Sequence, residues 1–163
     1  MITLIDAALL DAVSREAQAS PRRRKNRNFH SHDDQPSHRL LNAIEPGSYV
    51  APHRHLDALK DETMAVLRGK LGLLLFADDG KVISATVLGP GCAALGVDIA
   101  HGTWHAVLAL ETGTVFLEAK AGPYLPLTEA ERAPWAPAEG DATAAAYAAE
   151  LRRRCALAGQ TGA

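Results

Sequence analysis

From Arg39 to Lys120 the chain is written in short apolar runs, each cut off by Gly, Pro or Asp before a helix has room to form. Leu40-Leu41-Asn42-Ala43-Ile44 stops at Pro46-Gly47, and Tyr49-Val50-Ala51 leads into Pro52-His53-Arg54-His55. Glu62 to Arg68 ends at Gly69, Leu71 to Ala77 at Asp78-Asp79-Gly80, and Val82 to Leu88 at Gly89-Pro90-Gly91. Ala93 to Val97, Trp104 to Leu110 and Thr114 to Lys120 complete eight such segments. Asp-Gly between two apolar runs is a strong hairpin signal, because both residues tolerate positive φ. The spacing predicts a mainly β fold, two antiparallel sheets closed into a small jelly-roll barrel.

The flanks read differently. Ile5, Ala8, Leu9, Ala12 and Val13 recur at helical spacing, which predicts a helix over Leu4 to Ala19, capped by Thr3 with Asp6 in its first turn and ended by Ser20-Pro21. Arg22 to Ser37 has no periodicity and reads as a polar arm or loop, basic at five of the six positions from Arg22 to Arg27. Pro134 to Gly140 is a Pro-rich linker. Thr143 to Leu157, with Tyr147, Leu151 and Cys155 four apart, predicts a second helix. The expected organisation is a helix and arm over 1–38, a barrel over 39–122, and a linker and helix over 123–163, all in one structural domain.

Composition removes several function classes. Lys plus Arg is 17 and Asp plus Glu is 19, a balance unlike that of a protein that lives on nucleic acid or an anionic membrane. Cys92 and Cys155 cannot make a disulfide framework. The first residues lack the basic start and apolar run of a signal peptide, and runs such as Leu71 to Ala77 are far short of the ~20 residues that cross a bilayer. A cytoplasmic, soluble protein is expected.

Histidine carries the information. There are seven His against three Phe, three Tyr and two Trp. On a strand the His53-Arg54-His55 spacing puts both imidazoles on one face, roughly 6.6 Å apart along the chain. Glu62 opens the next run and His105 a later one. Three imidazoles and one carboxylate suit one divalent ion, Fe, Mn, Co, Ni or Zn. His101, four residues before His105, is a candidate proton carrier at the pocket rim. Glu118 and Lys120 form an alternating pair that faces either the cavity, as catalytic acid and base, or the solvent. Arg24, Arg27, Asn28, Arg39 and Tyr124 are candidates for holding a substrate anion, since Arg forks match phosphate and carboxylate oxygens. The arm also reads as a segment lying on a partner subunit, with Asn26, Asn28 and His30 alternating as an extended lining would.

Gly47-x5-His53-x-His55-x6-Glu62-x6-Gly69 resembles the first cupin motif, and Gly102-x2-His105 resembles the end of the second. The His-to-Glu gap is longer than the common form, and Ala100 and Ala109 stand where Pro and Asn are usual. The runs Arg24-Lys25-Asn26-Arg27-Asn28-Phe29-His30, Arg39-Leu40-Leu41-Asn42-Ala43, Lys60-Asp61-Glu62 and Phe116 to Tyr124 are similar to the WbuC family of cupin metalloproteins. The resemblance implies a cupin double-stranded β-helix with His53, His55, Glu62 and His105 on a single divalent metal, and a homodimer. It also implies a setting among bacterial surface-polysaccharide genes, with no settled reaction. The expected function is metal-dependent chemistry on a small sugar-like or anionic metabolite, of isomerase, epimerase or dioxygenase type. The alternative is a non-catalytic, metal-dependent sugar-binding module.

Overall fold

The short runs pair into two antiparallel sheets in a computed structural model that describes residues 2–161. Met1, Gly162 and Ala163, at the outer ends of the expected flanking segments, lie outside the described residues. In chain order the elements are α1 (Ala7–Ala19), β1 (Arg24–Asn28), β2 (Ser37–Ile44), β3 (Glu62–Arg68), β4 (Leu71–Phe76), β5 (Val82–Leu88), β6 (Gly96–Ile99), β7 (His105–Ala109), β8 (Thr114–Ala121), a 3-10 turn (Glu129–Glu131) and α2 (Ala144–Thr161). One sheet runs β1-β2-β8-β3-β6 and the other β5-β4-β7. The fold is the expected jelly-roll barrel with a helix at each end.

Five local expectations are corrected. The basic arm is not a loop: Arg24–Asn28 is edge strand β1, paired antiparallel with β2. Tyr49 to Ala51 is not a strand, and the run expected over Ala93 to Val97 pairs instead as Gly96–Ile99. Asp6, not Thr3, caps α1, its Oδ1 accepting the Leu9 N–H at 3.0 Å. The C-terminal helix continues to Thr161 rather than stopping at Leu157.

Strand alternation divides each sheet into two faces. On the five-stranded sheet Leu41, Ala43 and Val115 face outward under Val13 and Ala17 of α1. On the three-stranded sheet Leu74 and Leu108 face outward under Leu151 and Cys155 of α2, with Phe76 and Trp104 beside them. Gly72 permits this approach, because a Cβ there would lie 2.7 Å from Cys155 Sγ. Leu41, Leu74 and Leu151 are almost wholly buried, and each contributes roughly 1.5–3 kcal/mol by leaving water. The helices therefore seal the outside of the barrel and leave its interior to the other faces.

That interior is apolar at one end and polar at the other. Ile44, Met64, Val66, Leu71, Leu73, Val107 and Phe116 fill the apolar end. At the other end the register sets His38 opposite Lys120 and Lys120 opposite Glu62, with Glu118 opposite both Leu40 and Met64 in the next row. Among the described residues no helix is long and apolar enough to cross a membrane.

Candidate metal centre

Three elements bring the ring nitrogens and one carboxylate together at the polar end. His53 lies in an irregular segment, but a two-hydrogen-bond bridge fixes it to the first residue of β7: His53 N–H to His105 O at 3.0 Å, and His105 N–H to His53 O at 2.9 Å. Their ring centroids are 4.5 Å apart, and the His55 ring lies 5.4 Å from His53 and 6.2 Å from His105. His55 is held through its carbonyl, which accepts the Gly102 N–H at 2.6 Å. Glu62 opens β3 as expected. What replaces the expected His-x-His strand is the bridge to β7, which orders His53 without regular pairing around it.

Backbone carbonyls set the ring tautomers. His53 Nδ1 is 3.0 Å from Ala51 O and His105 Nδ1 is 2.9 Å from Thr103 O. A carbonyl only accepts, so each Nδ1 carries the proton and each Nε2 keeps a free lone pair. Burial, helped by the neighbouring His105 ring, pushes His53 down to about 3, so it is neutral, the form that ligates. Burial pushes Glu62 up, while the Lys120 ammonium, 2.8 Å from its Oε1, pulls it down.

The donor atoms fit a divalent cation. His53, His55 and Glu62 each offer one ligand atom, all within 4.8 Å of one another. Glu62 Oε2 lies 3.3 Å from His105 Nε2 and 3.8 Å from His55 Nε2, and all three atoms are buried without a hydrogen-bond partner. With its proton on Nδ1, His105 has none to donate to the carboxylate, so lone pair faces lone pair. Leaving a buried polar atom unsatisfied costs about 1–3 kcal/mol, and here three such atoms converge. Ligands about 2.1 Å from one ion sit roughly 3.0–3.4 Å apart, close to the shorter separation seen.

Glu118 and Lys120, left open between cavity and solvent by their alternation, both turn inward. Lys120 Nζ bridges Glu62 Oε1 at 2.8 Å and Glu118 Oε1 at 2.7 Å, while Asn42 Nδ2 donates to Glu118 Oε2 at 2.6 Å. Burial and the Glu62 charge push Glu118 up to about 7 against the pull of Lys120. All four side chains line an inner cavity of about 180 Å³ together with His53 and His105.

A larger outer cavity of about 420 Å³ opens beyond His53 and His55, and Arg24 and Tyr124 line it. The other expected groups do not. His101 turns to the surface, where its N–H and Nδ1 both meet Asp61 Oδ1 at 2.8 Å, and it lines neither cavity. Arg27 sits on the α1 side of β1 opposite Leu41, and Asn28 and Arg39 are exposed away from both cavities. Alternation accounts for Arg27, which turns to the face of the edge strand β1 opposite Arg24. Three residues that the sequence reading passed over do line the outer cavity, namely the buried His38 and Lys60, and Glu139 of the Pro-rich linker. Only His38 had a signal, its place two before Leu40 on a strand.

Residues 5–88 match the family model described as a domain of unknown function, DUF6016. Among solved structures, the conserved SPY1581 protein of unknown function from Streptococcus pyogenes is 12% identical over 77% of this chain and 91% of that one, with a TM-score of 0.50. KdgF from Halomonas sp. is 18% identical over 63% of this chain and 82% of that one, with a TM-score of 0.49. A cupin-2 domain containing protein from Shewanella frigidimarina is 19% identical over 60% and 80%, with a TM-score of 0.45. At its identity the first likeness bears on the fold alone. No curated protein matches the chain in sequence.

Proposed function

The chain belongs to the DUF6016 family, and we propose for it a metal-dependent activity on a small anionic or sugar-like metabolite, with one divalent ion held by His53, His55, His105 and Glu62. The observation that carries this reading is the convergence of three buried, unpartnered donor atoms on Glu62 Oε2 and the neighbouring ring nitrogens. The likeness to cupin and WbuC motifs supports the same ligand set, and with it a setting in surface-polysaccharide metabolism and a homodimer.

A bound ion of this kind supplies Lewis-acid polarisation of a substrate oxygen. The chain's own residues do the rest. Ala51 and Thr103 carbonyls orient the His53 and His105 rings, and Lys120 takes Glu62 Oε1 so that Oε2 faces the nitrogens. Glu118, steadied by Asn42 on one oxygen and Lys120 on the other, stands at the inner cavity to take or return a proton. Val107 and Phe116 give that cavity an apolar wall. A positioned acid/base pair favours isomerisation or epimerisation over oxygen insertion. The second reading, a non-catalytic binding module, is favoured by Lys120 being satisfied by both carboxylates.

Sugar phosphates and nucleotide sugars are screened by thermal shift with and without Mn²⁺, then by product analysis. The enzyme reading expects a compound that stabilises the metal-loaded form and is turned over, with turnover lost in Glu118→Gln. Stabilisation without turnover supports the module. No metal-dependent stabilisation removes this substrate class.

A further inference from the structure

Most cations around the outer cavity are already neutralised. Arg22 forks onto Glu139, Nε to Oε1 at 2.8 Å and Nη2 to Oε2 at 2.7 Å, and Arg24 Nη2 takes the same Oε2 at 2.7 Å. Lys120 is shared between Glu62 and Glu118. The two arm residues that line this cavity, Arg22 and Arg24, are thus committed to the chain's own carboxylate.

Lys60 is different. It is only 8% exposed, and its ammonium donates one of its three hydrogens, to Pro123 O at 3.0 Å. Among the described residues it forms no ion pair. Burying an ammonium without a counter-charge opposes folding, so a ligand oxyanion that supplied the missing charge would be favoured at this position. Lys60 lines the outer cavity, and so do His53 and His55. One wall therefore offers a fixed positive charge and another the nitrogen donors.

We propose that Lys60 is the anion-recognising residue of the outer cavity, pairing with a carboxylate or phosphate oxygen of a small polar metabolite whose uncharged end points toward His53 and His55. The placement of that second end rests on the metal-centre reading; the anion site itself does not. The cavity volume suits a single metabolite rather than a polymer. A compact ammonium recognises either oxyanion as a point charge, so the two chemistries are separated by experiment.

The test is calorimetric titration of the full chain, with and without Mn²⁺, using malonate, inorganic phosphate, glucose 6-phosphate and, as the neutral control, glucose. The expected result is that at least one anion binds while glucose binds far more weakly. Lys60→Gln should weaken that anion about tenfold or more, as for a lost charge-assisted hydrogen bond, and Lys60→Arg should restore most of it. Malonate alone identifies a carboxylate site; phosphate or glucose 6-phosphate alone identifies a phosphate site. Mn²⁺ affinity, measured separately, should be unchanged in Lys60→Gln. On the wild-type chain the bound anion should also slow acetylation of Lys60 by acetic anhydride, which keeps the test valid if Lys60→Gln misfolds. Equal anion binding by Lys60→Gln and wild type, unprotected Lys60, or no anion binding at millimolar concentration overturns the inference. Loss of Mn²⁺ binding alone, with Lys60-dependent anion binding intact, would overturn only the metal reading.

Discussion

Lys120 Nζ sits 2.8 Å from Glu62 Oε1, so one oxygen of this buried carboxylate is committed to the barrel wall while the other faces His105 Nε2 at 3.3 Å. The register makes this contact: Glu62 and Lys120 are direct cross-strand partners on β3 and β8. An ammonium so placed fixes the carboxylate's orientation and partly balances its charge.

Lys120→Met should therefore weaken metal binding by roughly 10–100-fold, the usual effect of removing a group that orients a ligand. Competition against a fluorescent chelator measures it. Unchanged affinity would mean that Glu62 needs no partner to face the ring nitrogens.

Glu139 should matter most above moderately acidic pH. Its hydrogen bonds from Arg22 hold the carboxyl down to about 2, with Arg24 adding to them. A carboxyl lowered in the folded state contributes stability fully above its unfolded pKa, about 4.3, and loses that contribution as pH falls toward the folded value. Glu139→Gln should be less stable than wild type at pH 6, and the gap should close between about 4.3 and 2. The pair is exposed and screened, so the gap should not exceed ~1 kcal/mol. Urea unfolding across that pH range reads it, and a gap that widens in acid would reverse the assignment.

Gly72→Ala should destabilise the barrel by about 1–3 kcal/mol, because the new Cβ enters the space of Cys155 Sγ. Cys155→Ala in the same chain should recover part of the loss, a coupling that a double-mutant cycle measures. Additive effects would place the strain elsewhere.

The two thiols should differ in reactivity. Burial pushes Cys155 up to about 11, while Cys92 is half-exposed in a Gly-rich turn. At pH 8 iodoacetamide should label Cys92 first and Cys155 only on unfolding. Mass spectrometry of the native protein checks this.

Strands β2 to β5, β7 and β8 were legible because apolar runs ended at turn residues whose backbone needs are specific. Strand β1 was not, since Arg24-Lys25-Asn26-Arg27-Asn28 is polar at every position. One of its faces lines a polar cavity and the other meets Glu16 of α1 through Lys25, so no apolar alternation marks it. The convergence of His53, His55 and Glu62 was legible in their spacing. Lys60 was not, lying between Leu59 and Asp61, both exposed. Its burial comes from the Pro123 segment folding over it, a contact across the sequence that no local pattern records.

Metal content of protein purified without chelator tests the central claim most directly, measured for wild type and for the double variant His53→Ala/His55→Ala. The account predicts up to one divalent ion per chain in the wild type and none in the variant. The variant should keep its β-rich circular dichroism, because a 163-residue chain buries enough surface to fold without metal. Full occupancy in the folded double variant, or a wild type that takes up no divalent ion when supplied with one, would contradict it.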